Sequence, residues 1–322
     1  ATGESVIAIS GDGEYSAAVA LSAPGVQCLA VDPDDGGVVY AGLRDGGVRR
    51  TRDGGSTWRD CELPEPGVFS LAVSAADGAV YAGTEPSRLF RSDDGGEHWT
   101  PLDTLLELPS RPEWRFPPRP WTSHVRWIAP SPYDAKLLLV GIELGGLMRS
   151  TDRGATWQDH RPGAQRDVHS LAWHPAVAGR AYEAGGGGAA HSDDAGDTWR
   201  AADEGMDRHY TWAVAVDPED DGRWYVSAST GPFAAHGAGD PQAGIFVRQD
   251  DAPWRRLGGG LPDPLPSMPY ALTVAGDRVV AGLRNGQLWQ SGDGGESWQA
   301  ARVSGDRVPS LVALSAAPNA DG

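Results

Sequence analysis

Along the chain, apolar and polar positions alternate in short runs broken by turns, and the spacing of an amphipathic helix is almost absent. Cys28-Leu-Ala-Val-Asp-Pro33 leads through a turn to Val38-Val-Tyr-Ala-Gly42, a period of two punctuated by Asp, Gly and Pro. That pattern predicts strand, turn, strand. It returns with first strands near Gln27, Phe69, Val125, His169, Trp212 and Tyr270. Each unit ends in an eight-residue segment in which Ser or Thr is followed by Asp two residues later, Gly two after that, and a final Trp. Five copies are clear, Thr51 to Trp58, Ser92 to Trp99, Ser150 to Trp157, Ser192 to Trp199 and Ser291 to Trp298, and a worn copy ends at Trp254.

The closing tryptophans lie 41, 58, 42, 55 and 44 residues apart. A period of about 40 to 45 residues suits a four-stranded propeller blade, so the two long intervals mark insertions. One covers about residues 101 to 122, with a short helix expected at Asp103 to Glu107, and the other about residues 231 to 244. The eight-residue segment resembles the Asp box, or BNR repeat, of sialidases, sortilin-type receptors, xyloglucanases and photosystem assembly factors, and more broadly the WD40/YVTN/BNR-like repeat proteins. The resemblance spans about residues 25 to 300. It implies that the segment is the turn between the third and fourth strands of a blade. The residue chemistry agrees, because Asp can accept N–H groups of its own turn, Gly supplies positive φ, and Trp plugs the gap to the next blade. Asp53, Asp94, Asp152, Asp194 and Asp293 are therefore read as structural.

Six units are explicit. Pro309 to Leu314 reads as one more first strand, and Val6 to Ser10 and Tyr15 to Leu21 as two strands without a box. Joining them closes the ring and removes exposed strand edges. The fold expected is all-β, a single β-propeller over residues 1 to 322, with seven blades preferred to six. Its seventh blade combines strands from about 5 to 21 with the C-terminal strand at about 309 to 314.

Composition narrows the function. A net charge of -17 with one lysine, Lys136, argues against an extended nucleic-acid or anionic-membrane contact. No stretch approaches a spanning helix and the N-terminus lacks signal-peptide regions, so a soluble chain is expected, cytoplasmic or secreted with its signal removed, and monomeric. Cys28 on an inner strand and Cys61 beyond an outer one are too far apart to bridge, so two free thiols are expected.

In a propeller, loops from strand four to the next strand one share a face with loops from strand two to strand three. Both insertions fall on that top face. Polar and aromatic residues at its strand ends include Arg44, Glu85, Glu143, Glu183 and Arg284 after second strands. Before or on first strands stand His124, Arg126, His169, His209, Tyr210, Trp212 and Tyr270. His236 lies in the second insertion. His98, His160, His174 and His191 read as surface residues. Glu143 and Glu183 are the sharpest signals, being carboxylates in otherwise apolar, Gly-rich segments.

Three chemistries fit. Glu143 and Glu183 could act as acid and base on a glycosidic bond, the proton donor having a raised pKa, with His124 and His169 orienting or polarising the substrate. Arg44, Arg126, His209, Tyr210, Trp212, Tyr270 and Arg284 would bind a small polar or sugar-like ligand. This hydrolase or lyase reading needs no cofactor. Alternatively His124, His169 and His209 with a Glu could hold a divalent metal, or the top face could be a non-catalytic docking surface. Sialic acid hydrolysis is disfavoured, because no Arg precedes Arg44 in the N-terminal strands.

Overall fold

The computed structural model describes residues 1–11, 14–117 and 122–317. Its strands form seven sheets around a central channel, so the fold is a seven-bladed β-propeller. Blade one runs outward through Val26–Val31, Val39–Leu43, Gly47–Thr51 and Arg59–Asp60. Blades two, four, five and six repeat this order, starting at Val68, Val168, Tyr210 and Pro269. Blade three has three strands, and its fourth is reduced to a single bridge between Arg149 and Gln158. The 101–122 insertion contributes a 3-10 turn at Asp103–Glu107, and the second insertion a short helix at Pro232–His236. Residues 118 to 121 of the first insertion lie outside the described residues.

The eight-residue turns hold themselves with one repeated set of bonds. In the first, Gly55 N–H donates to Thr51 Oγ1, while Thr57 gives its N–H and hydroxyl to the two Asp53 oxygens. The other four differ mainly in that His98 replaces the hydroxyl donor beside Asp94. These bonds favour the charged carboxylate and hold Asp53, Asp194 and Asp293 down at about 2. Several tryptophans then fasten neighbouring blades: Trp58 donates to Ala20 O, Trp99 to Cys61 O and Trp254 to Ala202 O. Nearer the axis, Gly42, Gly83 and Gly141 lie where a Cβ would strike Val68, Val125 and Val168 of the next blade at 2.5, 2.5 and 2.4 Å. Glycine is required there by the close approach of the sheets.

Ring closure departs from the sequence expectation in one respect. Ser5–Ser10 and Glu14–Ser22 do form the seventh sheet, but the C-terminal strand paired with them is Arg302–Gly305, parallel to the second. Pro309 to Leu314 forms no strand. It takes the inner-strand place, with Leu311 against Gly282 just as Val68 lies against Gly42. Its ties are to the other chain end, where Val312 N–H donates to Ala1 O and the Ala1 ammonium to Ala313 O. The short link after Gln299–Ala300 explains the parallel pairing, because the chain steps directly from blade six to the rim of blade seven. The two thiols, Cys28 and Cys61, are free as expected.

Candidate functional site at the channel mouth

The inner strands share an irregularity that the alternation of the sequence does not reveal. Near the start of each of the six, the register slips: between Val26 and Cys28, Val68 and Ser70, Val125 and Trp127, Val168 and Ser170, Thr211 and Val214, and Pro269 and Ala271. A bulge leaves its extra residue unpaired and re-aims its side chain. The residues so freed are Gln27, Phe69, Arg126, His169, Trp212 and Tyr270, and all six line the same central cavity of about 450 Å³. The ring is thus made of equivalent positions, one per blade, which differ chemically although their backbones are alike.

Cations and rings alternate around this mouth. The Arg44 guanidinium lies 5.5 Å from the Phe69 ring centre, and Arg126 lies 5.7 Å from Phe69 and 4.5 Å from Trp212. Trp212 stacks on Tyr270 at 5.4 Å, and Arg284 lies 5.9 Å from Tyr270. Such pairs fix the guanidinium planes and keep their charge at the rim. His236, from the second insertion, joins Tyr210 and Tyr270 through hydrogen bonds of 2.8 Å at either ring nitrogen. Burial lowers its pKa to about 4, so the imidazole is neutral and carries one proton. One tyrosine must donate to it and the other accept, which leaves the accepting tyrosine's hydroxyl hydrogen for another partner.

Beneath the belt lies a buried histidine–carboxylate pair. His124 Nε2 is 2.6 Å from Glu143 Oε2, and Arg126 Nε is 3.5 Å from the same oxygen. His124 is fully buried and stacked on Phe69 at 3.8 Å. Burial pushes the Glu143 pKa up, but the His124 bond and the neighbouring positive charges outweigh it and hold the carboxyl at about 2. His169 gives Nδ1–H to Thr211 O at 2.6 Å, and its Nε2 lies 3.5 Å from Asp167 Oδ2.

The expected partnership of Glu143 with Glu183 does not form. Aligned by strand pairing, Glu183 faces Leu171 where Val140 faces Ile128 in blade three, and where Ala41, Ala82 and Ala281 stand in blades one, two and six. It therefore occupies a core position, fully buried, and does not line the central cavity. Its one hydrogen bond is from Gln165 N–H at 3.0 Å, and desolvation raises its pKa to about 8. Glu143, in contrast, lies one residue beyond the end of Leu138–Ile142, is buried too, and lies behind the cavity-lining Arg126, whose Nε is 3.5 Å from its Oε2. So the raised pKa belongs to Glu183, which has no charged partner, and Glu143, held by His124 and Arg126 behind the cavity lining, is ionised.

Other candidates sort by the same geometry. His209 is exposed and is not in the group of possible metal ligands found among the described residues, and neither is His124. His174 corrects the surface reading, because it is fully buried and its Nδ1 accepts the N–H groups of Ala176 and Val177. His160 and His191 are half-buried, and His98 is exposed beside Asp94. Glu85 accepts a hydrogen bond from Thr122 at 3.0 Å. Asp167 was missed by sequence reasoning. Its spacing of two from His169 at a strand start was the available signal, since alternate residues share a face.

The fold is a seven-bladed propeller whose repeated turns resemble the BNR type. No family model matches the chain. A xyloglucanase of Hypocrea jecorina (strain QM6a) is 31% identical over 144 residues, which is 40% of this chain and 17% of the relative. Among solved structures, an ancestral GH74 enzyme superposes with TM-score 0.66 at 19% identity over 85% of this chain and 38% of its own. The GH74 enzyme of Niastella koreensis gives 0.64 at 17% identity over 92% and 54%. A structure described as YCF48 bound to D1 peptide gives 0.58 at 20% identity over 86% and 82%. The chain thus spans a fraction of the xyloglucanase, about half or less of these GH74 enzymes, and about four fifths of YCF48. No helix among the described residues is long and apolar enough to cross a membrane.

Proposed function

We propose that this propeller is a glycoside-hydrolase-like hydrolase or lyase that takes a sugar-like ligand bearing an anionic group at the top mouth of its channel. The observation that carries the reading is the alternating belt Arg44, Phe69, Arg126, Trp212, Tyr270 and Arg284, set beside the ionised Glu143. Aromatic faces stack on the apolar face of a sugar ring, and arginines bind a carboxylate or sulfate with paired N–H groups. In a protein of net charge -17, a local cluster of arginines is what an anionic ligand requires. The xyloglucanase and GH74 likenesses support the glycoside class.

Glu143, already ionised, serves as the base rather than the acid. In hydrolysis a water gives its proton to Glu143 as its oxygen bonds the anomeric carbon. The glycosidic C–O bond breaks and the leaving oxygen takes a proton from solvent, because burial holds the Tyr210 and Tyr270 hydroxyls above their ordinary range, and Glu143 returns its proton to solvent. A purely binding role, as the YCF48 likeness would suggest, is favoured by one observation: the carboxyl with a neutral-range pKa, Glu183, is enclosed.

Calorimetry against neutral sugars and sugar acids, with product analysis on matching oligosaccharides, tests this. A sugar acid should bind, and Trp212→Ala and Arg126→Gln should each weaken it by about 10- to 100-fold, equivalent to about 1 to 3 kcal/mol. Glu143→Gln should keep binding and lose turnover. Turnover intact in Glu143→Gln sinks the catalytic part; Trp212→Ala binding like the parent sinks the site itself.

A further inference from the structure

Three potential metal-ligating groups converge where blades three and four meet. Glu143, Asp167 and His169 each offer one donor atom, and these atoms lie within 4.8 Å of one another. His169 is fully buried, and its Nδ1–H is committed to Thr211 O. The opposite nitrogen, Nε2, is buried and has no hydrogen-bond partner. Asp167 Oδ1 is likewise buried and without a partner. Glu143 commits only Oε2, to His124, which leaves its other oxygen to ligate.

A structural reading would protonate His169 and let Nε2–H bond Asp167. The separation of 3.5 Å is too long for a charge-assisted bond, which closes to about 2.7 to 2.9 Å. His169 also lines the cavity, so a position on the ion would stay open to it. Three protein ligands with an open position are the form of a catalytic rather than a structural centre.

We infer that Glu143, Asp167 and His169 form a divalent transition-metal site, suited by its one nitrogen and two oxygen donors to Mn²⁺ or Zn²⁺. His124 orients Glu143 from behind, and His209, exposed, takes no part. This rests on the same mouth as the proposed function and alters one step of it. With an ion bound, Glu143 is a ligand and the metal lowers the pKa of the attacking water.

The test is calorimetric titration of chelator-stripped, full-length protein with Mn²⁺ or Zn²⁺ alone, with the bound metal counted after dialysis. The expected result is a single ion per chain, weakened more than about 10-fold in His169→Gln and in Asp167→Asn, and unchanged in His191→Gln. Absence of stoichiometric binding, or binding by both ligand variants equal to the parent, overturns the site. Should the variants fail to fold, Co²⁺ added to the parent decides. Visible bands of a four- or five-coordinate ion support the site, and the spectrum of aqueous Co²⁺ refutes it. Sugar-acid binding by the stripped protein is measured in parallel, so failure of the metal site and failure of the ligand reading give different results.

Discussion

Replacing Glu183 by Gln removes an ionisable group from a core position while keeping its shape and its acceptor for Gln165 N–H. The folded carboxyl titrates at about 8 against an ordinary 4.5, with burial as the cause. Between those values the unfolded chain ionises and the folded chain does not, so the unfolded state binds fewer protons and stability falls as pH rises. At about 1.36 kcal/mol per unit, the parent's penalty from this group is absent below about pH 4.5. It reaches about 3 kcal/mol near pH 7 and levels off near 5 kcal/mol above pH 8. The Gln variant carries no such slope. Its amide N–H₂ takes the place of Oε1, which has no partner, and this costs about 1 to 3 kcal/mol at every pH. The variant should therefore be less stable than the parent near pH 5 and more stable near pH 9. Urea unfolding followed by tryptophan fluorescence from pH 5 to 9, read as the difference between the two proteins, cancels every other titration. A difference constant to within about 0.5 kcal/mol across that range would falsify the assignment of Glu183 to a sealed apolar site.

Other outcomes follow from the remaining structure. Asp53→Ala should lower the melting midpoint and leave ligand binding per folded molecule unchanged. The Asp53 contribution, present above pH 4, should disappear as pH falls through about 2, which acid unfolding of parent and variant will show. A histidine with its midpoint near 4 should appear in an NMR titration and vanish in His236→Gln; a value above 6 would mean that the Tyr210–His236–Tyr270 chain is open to water. Truncation after Ala301 removes Arg302–Gly305 and the inner C-terminal segment, and hydrogen exchange in Ser5–Ser10 and Glu14–Ser22 should accelerate. Unfolding without reductant should expose two alkylatable thiols, and a mass with one bridge would contradict the separation of Cys28 from Cys61.

The sequence by itself determined the repeat, the blade period, the role of Asp and Trp in each turn and the closing of the ring by both chain ends. These are local properties. A two-residue alternation, a self-bonding turn and a fixed spacing are written in neighbouring residues. It also sorted the loops onto two faces, because strand order alone decides which loops lie together. The site itself was decided by tertiary structure. Phe69, Arg126, His169, Trp212 and Tyr270 face the cavity because a bulge turns them there, and an alternating pattern contains no sign of a slipped register. Glu143 and Glu183 look alike in sequence, each a carboxylate among glycines and apolar residues. One meets His124 and Arg126 behind the cavity lining and stays charged, and the other stands where its sister blades carry Val140 or Ala82 and is held neutral. A carboxyl's charge is fixed by partners and solvent brought to it from other blades, and so it becomes readable only when the ring has closed.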